Sequence, residues 1–157
     1  MKDSSGNSIT YQALAKEGVS AGLPKEVAHK IDLVRDKGLA ALEMAAKAGV
    51  KLAYGTDLLG AMHRYQLEEF ALRAQVQPNL EVIRSATLCA ARLLRAEGRL
   101  RVVAPGAYAD LIAVNGNPLE DIRVLTYPER YLGLVMKGGV VYYPRDQREG
   151  GLWETQG

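Results

Sequence analysis

The stretch that most limits what this chain can fold into is Val50-Lys51-Leu52-Ala53-Tyr54, closed by Gly55-Thr56-Asp57. It is short and apolar, and it follows directly on an Ala-rich helical pattern that stops at Gly49. This is the pattern of a buried parallel strand in an α/β protein. A strand covered on both faces reads as a continuous apolar run and needs neighbours on both sides. One strand cannot make a sheet, and residues 1–98 hold no second run of this kind. The sequence therefore predicts a fold whose remaining strands lie outside this chain.

The flanking segments read as helices. Ile9 to Gly18 suggests a short helix with Thr10 as a possible cap. Gly22-Leu23-Pro24 is a turn, with Pro24 suited to a first helical position. Residues 24–35 place Val27, Ile31 and Val34 at helical spacing. Leu39 to Ala48 forms a second helix with Leu39, Leu42, Ala45 and Ala46 on one face and Gly49 as its stop. Beyond Asp57, residues 63–76 put Leu67, Phe70, Ala71 and Ala74 on one side. Asn79 is expected to cap a helix running to Arg95, with Ile83, Ala86, Thr87, Ala90 and Leu94 inward.

After Gly98 the texture turns to β. Leu100–Val103 and Ala109–Val114 read as strands around Pro105-Gly106, and Asn115-Gly116-Asn117-Pro118 is a strong turn signal. Leu119–Leu125 reads as a helical turn. Tyr131–Lys137 and Val140–Tyr143 pair around Gly138-Gly139, which suits a two-residue hairpin turn. The expected organisation is residues 1–98 as one unit with its strand at 50–57, residues 99–143 as a small antiparallel β unit, and residues 144–157 as a polar tail with a lone Trp153.

Composition excludes several classes of function. Twenty Lys and Arg against 18 Asp and Glu give a net charge of +2, with no basic stripe for nucleic acid or an acidic membrane surface. Cys89 is the only cysteine, so an intrachain disulfide and a cysteine-based zinc cluster are both impossible. The first residues lack the apolar core of a signal peptide, and no apolar run approaches the ~20 residues of a membrane span. A cytoplasmic protein is the expectation.

Three stretches together resemble the amidohydrolase superfamily. Ala48–Asp57 looks like the eighth barrel strand with its terminal aspartate. Ile83-Arg84-Ser85-Ala86-Thr87-Leu88-Cys89-Ala90-Ala91 resembles the helix leaving the barrel. Pro105–Val114, followed by Gly116-Asn117-Pro118-Leu119-Glu120-Asp121, is similar to the β unit beside it, which Val135–Val141 closes. The resemblance spans about residues 30–143. It is nearest to the imidazolonepropionase-related and Xaa-Pro or Xaa-Arg dipeptidase-like members. It implies an α/β fold: the C-terminal part of a (β/α)₈ TIM-like barrel plus a small antiparallel β unit of the composite amidohydrolase β-sandwich. A whole barrel takes about 250 residues.

The resemblance also implies a divalent metal, usually zinc, and hydrolysis of an amide C–N bond in a small amide or dipeptide-like substrate. Asp57 would then be both a metal ligand and the catalytic carboxylate that takes a proton from water and passes it to the departing amine. His63 would face the substrate. The family's His-x-His pair, its lysine and its further histidines have no counterpart, since His29 and His63 are the only histidines. Each residue also has a plainer reading. Asp57 after Gly-Thr suits a simple turn, His63 a solvated helix start, and Gly55 and Gly60 ordinary turns. His29 reads as a surface residue, Cys89 as a small buried apolar group, Asp110 as structural and Asp121 as a local cap. Two classes of function follow. One is a metal-dependent hydrolase present as an incomplete piece. The other is a non-catalytic module that associates with itself or with a partner carrying the missing N-terminal barrel part.

Overall fold

In a computed structural model, residues 10, 12–14, 25–58 and 60–143 are described, those between 25 and 32 by their backbone only. The turn at 22–24, the tail from Pro144 and most of the expected Ile9–Gly18 helix lie outside them, although Thr10 and residues 12–14 are helical. The described residues form an α/β arrangement: helices around an irregular central segment, then a three-stranded antiparallel sheet.

Helix α1 runs unbroken from Lys25 to Lys47. The two helices expected on either side of Gly38 are thus one. An interior glycine costs only about 1 kcal/mol relative to alanine, which a helix of 23 residues absorbs. Its end is a Schellman motif. Gly49 takes the left-handed conformation at φ 73°, its N–H bonds Ala46 O, and the Val50 N–H bonds Ala45 O. Of the expected apolar face Leu42 is fully buried whereas Val34 stays exposed, as do Leu33 and Met44 elsewhere on the helix.

Residues 50–58 then cross the molecule in neither helix nor strand. The strand expected at 50–57 has no ladder, because among the described residues no parallel neighbour stands beside it. The Tyr54 N–H bonds Ser85 O instead. Burial still follows the apolar pattern, and consecutive Leu52 and Ala53 are each 5% exposed.

The single helix expected over 63–76 is a 3₁₀ helix at Gly60–Tyr65 followed by α2 at Glu68–Arg73. The face expected inward is only half-buried, while Glu69, Leu72 and Arg73 are fully buried. The helix expected over 79–95 breaks at Thr87 into α3 (Asn79–Ala86) and α4 (Leu88–Leu93). The Thr87 hydroxyl donates to Ile83 O at 2.8 Å, a back-bond that competes with the helical ladder. Asn79 is not the cap. Pro78 occupies that position, and the Asn79 amide reaches across to Leu119 O at 3.0 Å.

Leu100–Val103 is not a strand, since Arg101 sits at φ 58°, a left-handed value that no strand accommodates. The sheet consists of β1 (Leu111–Val114), β2 (Leu132–Lys137) and β3 (Val140–Tyr143) in the order β1-β2-β3. Lys137 pairs with Val140 and Leu111 with Met136. Gly138 and Gly139 both have positive φ, 56° and 81°, the type I′ geometry that matches strand twist. Asp110 Oδ1 accepts the Gly138 N–H at 2.7 Å, which ties the entry of β1 to the hairpin turn. Between β1 and β2, a 3₁₀ helix at Ile122–Leu125 is capped by Asp121, whose carboxylate accepts the Arg123 N–H. The short α5 (Pro128–Tyr131) leads into β2. Ile122 and Val124 are buried, and their 3₁₀ helix packs against α2. The Arg101 guanidinium donates to Ala86 O, which ties the loop ahead of the sheet to α3.

Candidate active site

Asp57 stands where the central segment turns. Its backbone is left-handed at φ 52°, a conformation that Asp tolerates better than most residues. The Thr10 hydroxyl, from the helical stretch at 10–14, donates to Thr56 O at 3.1 Å and lies 3.5 Å from Asp57 O. Immediately beyond the turn, Leu58 is buried with Ala13 and Leu72, and Leu39, Met62 and Tyr65 pack on that cluster. The turn is therefore anchored from both sides while the Asp57 side chain remains exposed. Among the described residues the Asp57 carboxylate joins no hydrogen bond or ion pair.

His63 lies in the 3₁₀ helix Gly60–Tyr65 and is exposed. Gly60, which opens that helix, is left-handed at φ 54°; Gly55 is not. His29 lies on α1, and its side chain falls outside the described residues. Cys89 is a free thiol and is half-buried rather than buried. The described residues bring together no three His, Cys, Asp or Glu side chains able to hold a metal ion. Asp57 alone offers one carboxylate where a site needs three or four protein ligands. The donor set present does not fit a metal by itself.

Behind the central segment lies a polar assembly that the sequence did not reveal. Arg73 and Glu69, both 0% exposed, form an ion pair with Nε to Oε1 at 2.7 Å. Arg73 Nη2 donates to Ala53 O at 3.0 Å, and Nη1 lies 3.4 Å from Ser85 Oγ. The guanidinium sits 5.2 Å from the centre of the Tyr54 ring, which packs tilted on Phe70 at 4.5 Å. The Tyr54 hydroxyl donates to Gln66 O at 2.7 Å. Burial, followed by the nearby Glu69 carboxylate, holds the Tyr54 phenol far above the ordinary tyrosine range, and Arg73 acts in the opposite direction. The assembly fixes Ala53 and Tyr54, four and three residues before Asp57. Its sequence trace is Glu69 and Arg73 at i and i+4, a spacing that usually marks a solvated helix face.

Two of the cavities border α3. One, of about 260 Å³, lies among Ala74, Asn79 and residues 120–123. The other, of about 350 Å³, lies between the end of α1, residues 49–52 and α3. Neither is lined by Asp57 or His63.

Comparison with known proteins identifies this frame. Ochratoxinase of Aspergillus niger is 37% identical over 126 residues, which is 77% of this chain but 25% of that protein. The crystal structure of a prolidase complexed with N-methylphosphonate-L-proline superposes with a TM-score of 0.76 at 46% identity, covering 85% of this chain and 33% of the other. A Xaa-Pro dipeptidase with bound methionine in its active site gives a TM-score of 0.71 at 33% identity, covering 87% and 33%. The chain thus spans between a quarter and a third of the length of these relatives. Residues 5–141 match the profile of the Amidohydrolase family, and the chain belongs to that family.

Proposed function

We propose that this chain supplies the closing strand and one catalytic carboxylate, Asp57, of a hydrolase that cleaves an amide C–N bond in a small dipeptide-like substrate. The supporting observation is the Asp57 turn. Among the described residues a carboxylate without a partner stands at the end of a buried segment, in a chain 46% identical to a prolidase. A carboxylate so placed can accept a proton from an attacking water and return it to the departing amine. In this reading residues 1–98 are the end of a (β/α)₈ barrel, residues 99–143 the β unit beside it, and His63 borders the substrate. The divalent metal, zinc by family resemblance, would draw its other ligands from elsewhere in the fold. Among the described residues no helix is long and apolar enough to cross a membrane, and we assign the chain to the cytoplasm.

The prolidase and the dipeptidase point to Xaa-Pro dipeptides as the first substrates to try. With the rest of the barrel supplied, the complex is expected to hydrolyse such a dipeptide. Asp57→Asn should lower the rate by about 10²–10⁴, the usual contribution of a general base. An unchanged rate in Asp57→Asn sinks the assignment. Exposed apolar side chains favour a second reading, a non-catalytic module that binds a partner or itself. Leu33, Val34 and Met44 on α1, and Ile112, Val140, Val141 and Tyr142 on the sheet, are all uncovered. A complex that forms but hydrolyses no amide would select that reading.

A further inference from the structure

The 3₁₀ helix Gly60–Tyr65 carries His63 and is held in two ways. The first hold is apolar. Met62 and Tyr65, three residues apart and so on one side of a 3₁₀ helix, pack on the buried cluster that contains Leu58. His63 and Arg64 are left exposed. The second hold is polar. The Gln66 N–H donates to His63 O at 3.0 Å, and Gln66 O accepts the Tyr54 hydroxyl at 2.7 Å. Two hydrogen bonds in series therefore run from the Tyr54 side chain to the main chain of His63. The near end of this relay is itself fixed. The Tyr54 N–H bonds Ser85 O, its ring packs on Phe70 at 4.5 Å, and the Arg73 guanidinium lies 5.2 Å from the ring centre. Tyr54 also stands three residues before Asp57. One side chain thus reaches from the segment that ends in the candidate carboxylate to the turn that bears the candidate substrate contact.

We propose that Tyr54 is a positioning residue: its hydroxyl, acting through Gln66, sets where His63 stands relative to Asp57 and so fits the site to a short dipeptide-like substrate. This rests on the reading of Asp57 and His63 as hydrolase residues. Apolar contacts are non-directional, so the packing of Met62 and Tyr65 alone leaves the turn free to slide. The hydroxyl bond adds direction. Direction matters because a misplacement of about 1 Å can cost up to ~10²-fold in rate.

Tyr54→Phe tests this, because it keeps the ring on Phe70 and removes only the hydroxyl. In the chain alone, the His63 imidazole signal in proton NMR should move; His29→Gln tells it from the signal of the other histidine. The Gln66 amide should exchange with solvent about five-fold faster. Activity is read in this chain joined by a flexible linker to the part of the 46%-identical prolidase that has no counterpart here. The loss in Xaa-Pro hydrolysis should fall on KM, about five-fold, rather than on kcat. In a His63→Ala background the same change should add nothing, since residues acting through one contact are not additive. A residue that merely supports the fold would cost as much in either background. Three results would overturn the inference: an unaltered His63 signal and Gln66 exchange in Tyr54→Phe, a loss that falls on kcat alone, or a loss undiminished in His63→Ala. The hydrolase reading is judged separately. A parent fusion that hydrolyses no dipeptide counts against that reading, while a shifted His63 signal still upholds the hydroxyl link. A working parent with an unmoved signal does the reverse.

Discussion

Replacing Arg73 with methionine tests whether the buried ion pair holds the central segment in place. The side chain is wholly buried with Glu69 and also donates to Ala53 O. Removing it leaves the Glu69 carboxylate in a low-dielectric site without its cation. Breaking one side of a buried pair costs about 3–5 kcal/mol, and the lost bond to Ala53 O falls within that figure. With a urea dependence of about 2 kcal/mol per molar, the unfolding midpoint should drop by roughly 1.5–2.5 M. Against a typical total stability of about 5–15 kcal/mol, the variant would sit near its unfolding limit. Urea titration followed by circular dichroism measures this directly. The double change Glu69→Leu with Arg73→Met removes both charges. It should recover much of the loss, because apolar replacement of a buried pair is often neutral or better. A single variant that unfolds at the parental midpoint, or a double variant no better than the single one, refutes the reasoning.

Three further outcomes are expected. Tyr54 has a raised folded pKa, so its stabilisation is complete below the unfolded value of about 10 and is lost as pH climbs past it and the unfolded chain ionises. Tyr54→Phe should flatten that alkaline loss in urea titrations at stepped pH, and should cost about 1 kcal/mol at neutral pH for the bond to Gln66 O; equal slopes in both proteins would contradict this. Gly49→Ala meets no neighbouring atom within 4 Å, so only its left-handed backbone is penalised. Thermal or urea unfolding should show a loss of about 1–2 kcal/mol. Asp57→Asn should leave the unfolding midpoint of the chain unchanged, since the exposed carboxylate joins no bond among the described residues; a large shift would mean that the residue serves the fold instead.

Local signals read well wherever the chain's own backbone satisfies itself. The Gly49 stop, the Gly138-Gly139 hairpin and the cap at Asp121 depend on neighbours a few residues away or on the conformational freedom of glycine. Pattern reading failed where apolar spacing or propensity alone was taken to decide the backbone. Thr87 breaks a helix that its apolar spacing would continue, and Arg101 takes a left-handed angle inside an apparent strand. Gly38 is carried through a long helix that its propensity would interrupt. At the site, the sequence singled out Asp57 and His63, and both lie at or just beyond the turn. It missed Glu69 and Arg73, because whether an i, i+4 ion pair faces water or the interior depends on what lies opposite.

By itself the sequence determined the family frame, the position of the Asp57 turn, and the expectation that an apolar segment at 50–54 lacks its neighbours. Those are properties of residue order and of short-range backbone chemistry. Only the tertiary structure decided that the segment has no ladder among the described residues, that Arg73 holds it from behind, and that Gln77 Oε1 is buried without a hydrogen-bond partner among the described residues. Burial and hydrogen-bond satisfaction are set by which surfaces meet, and that information is spread over segments far apart in the chain.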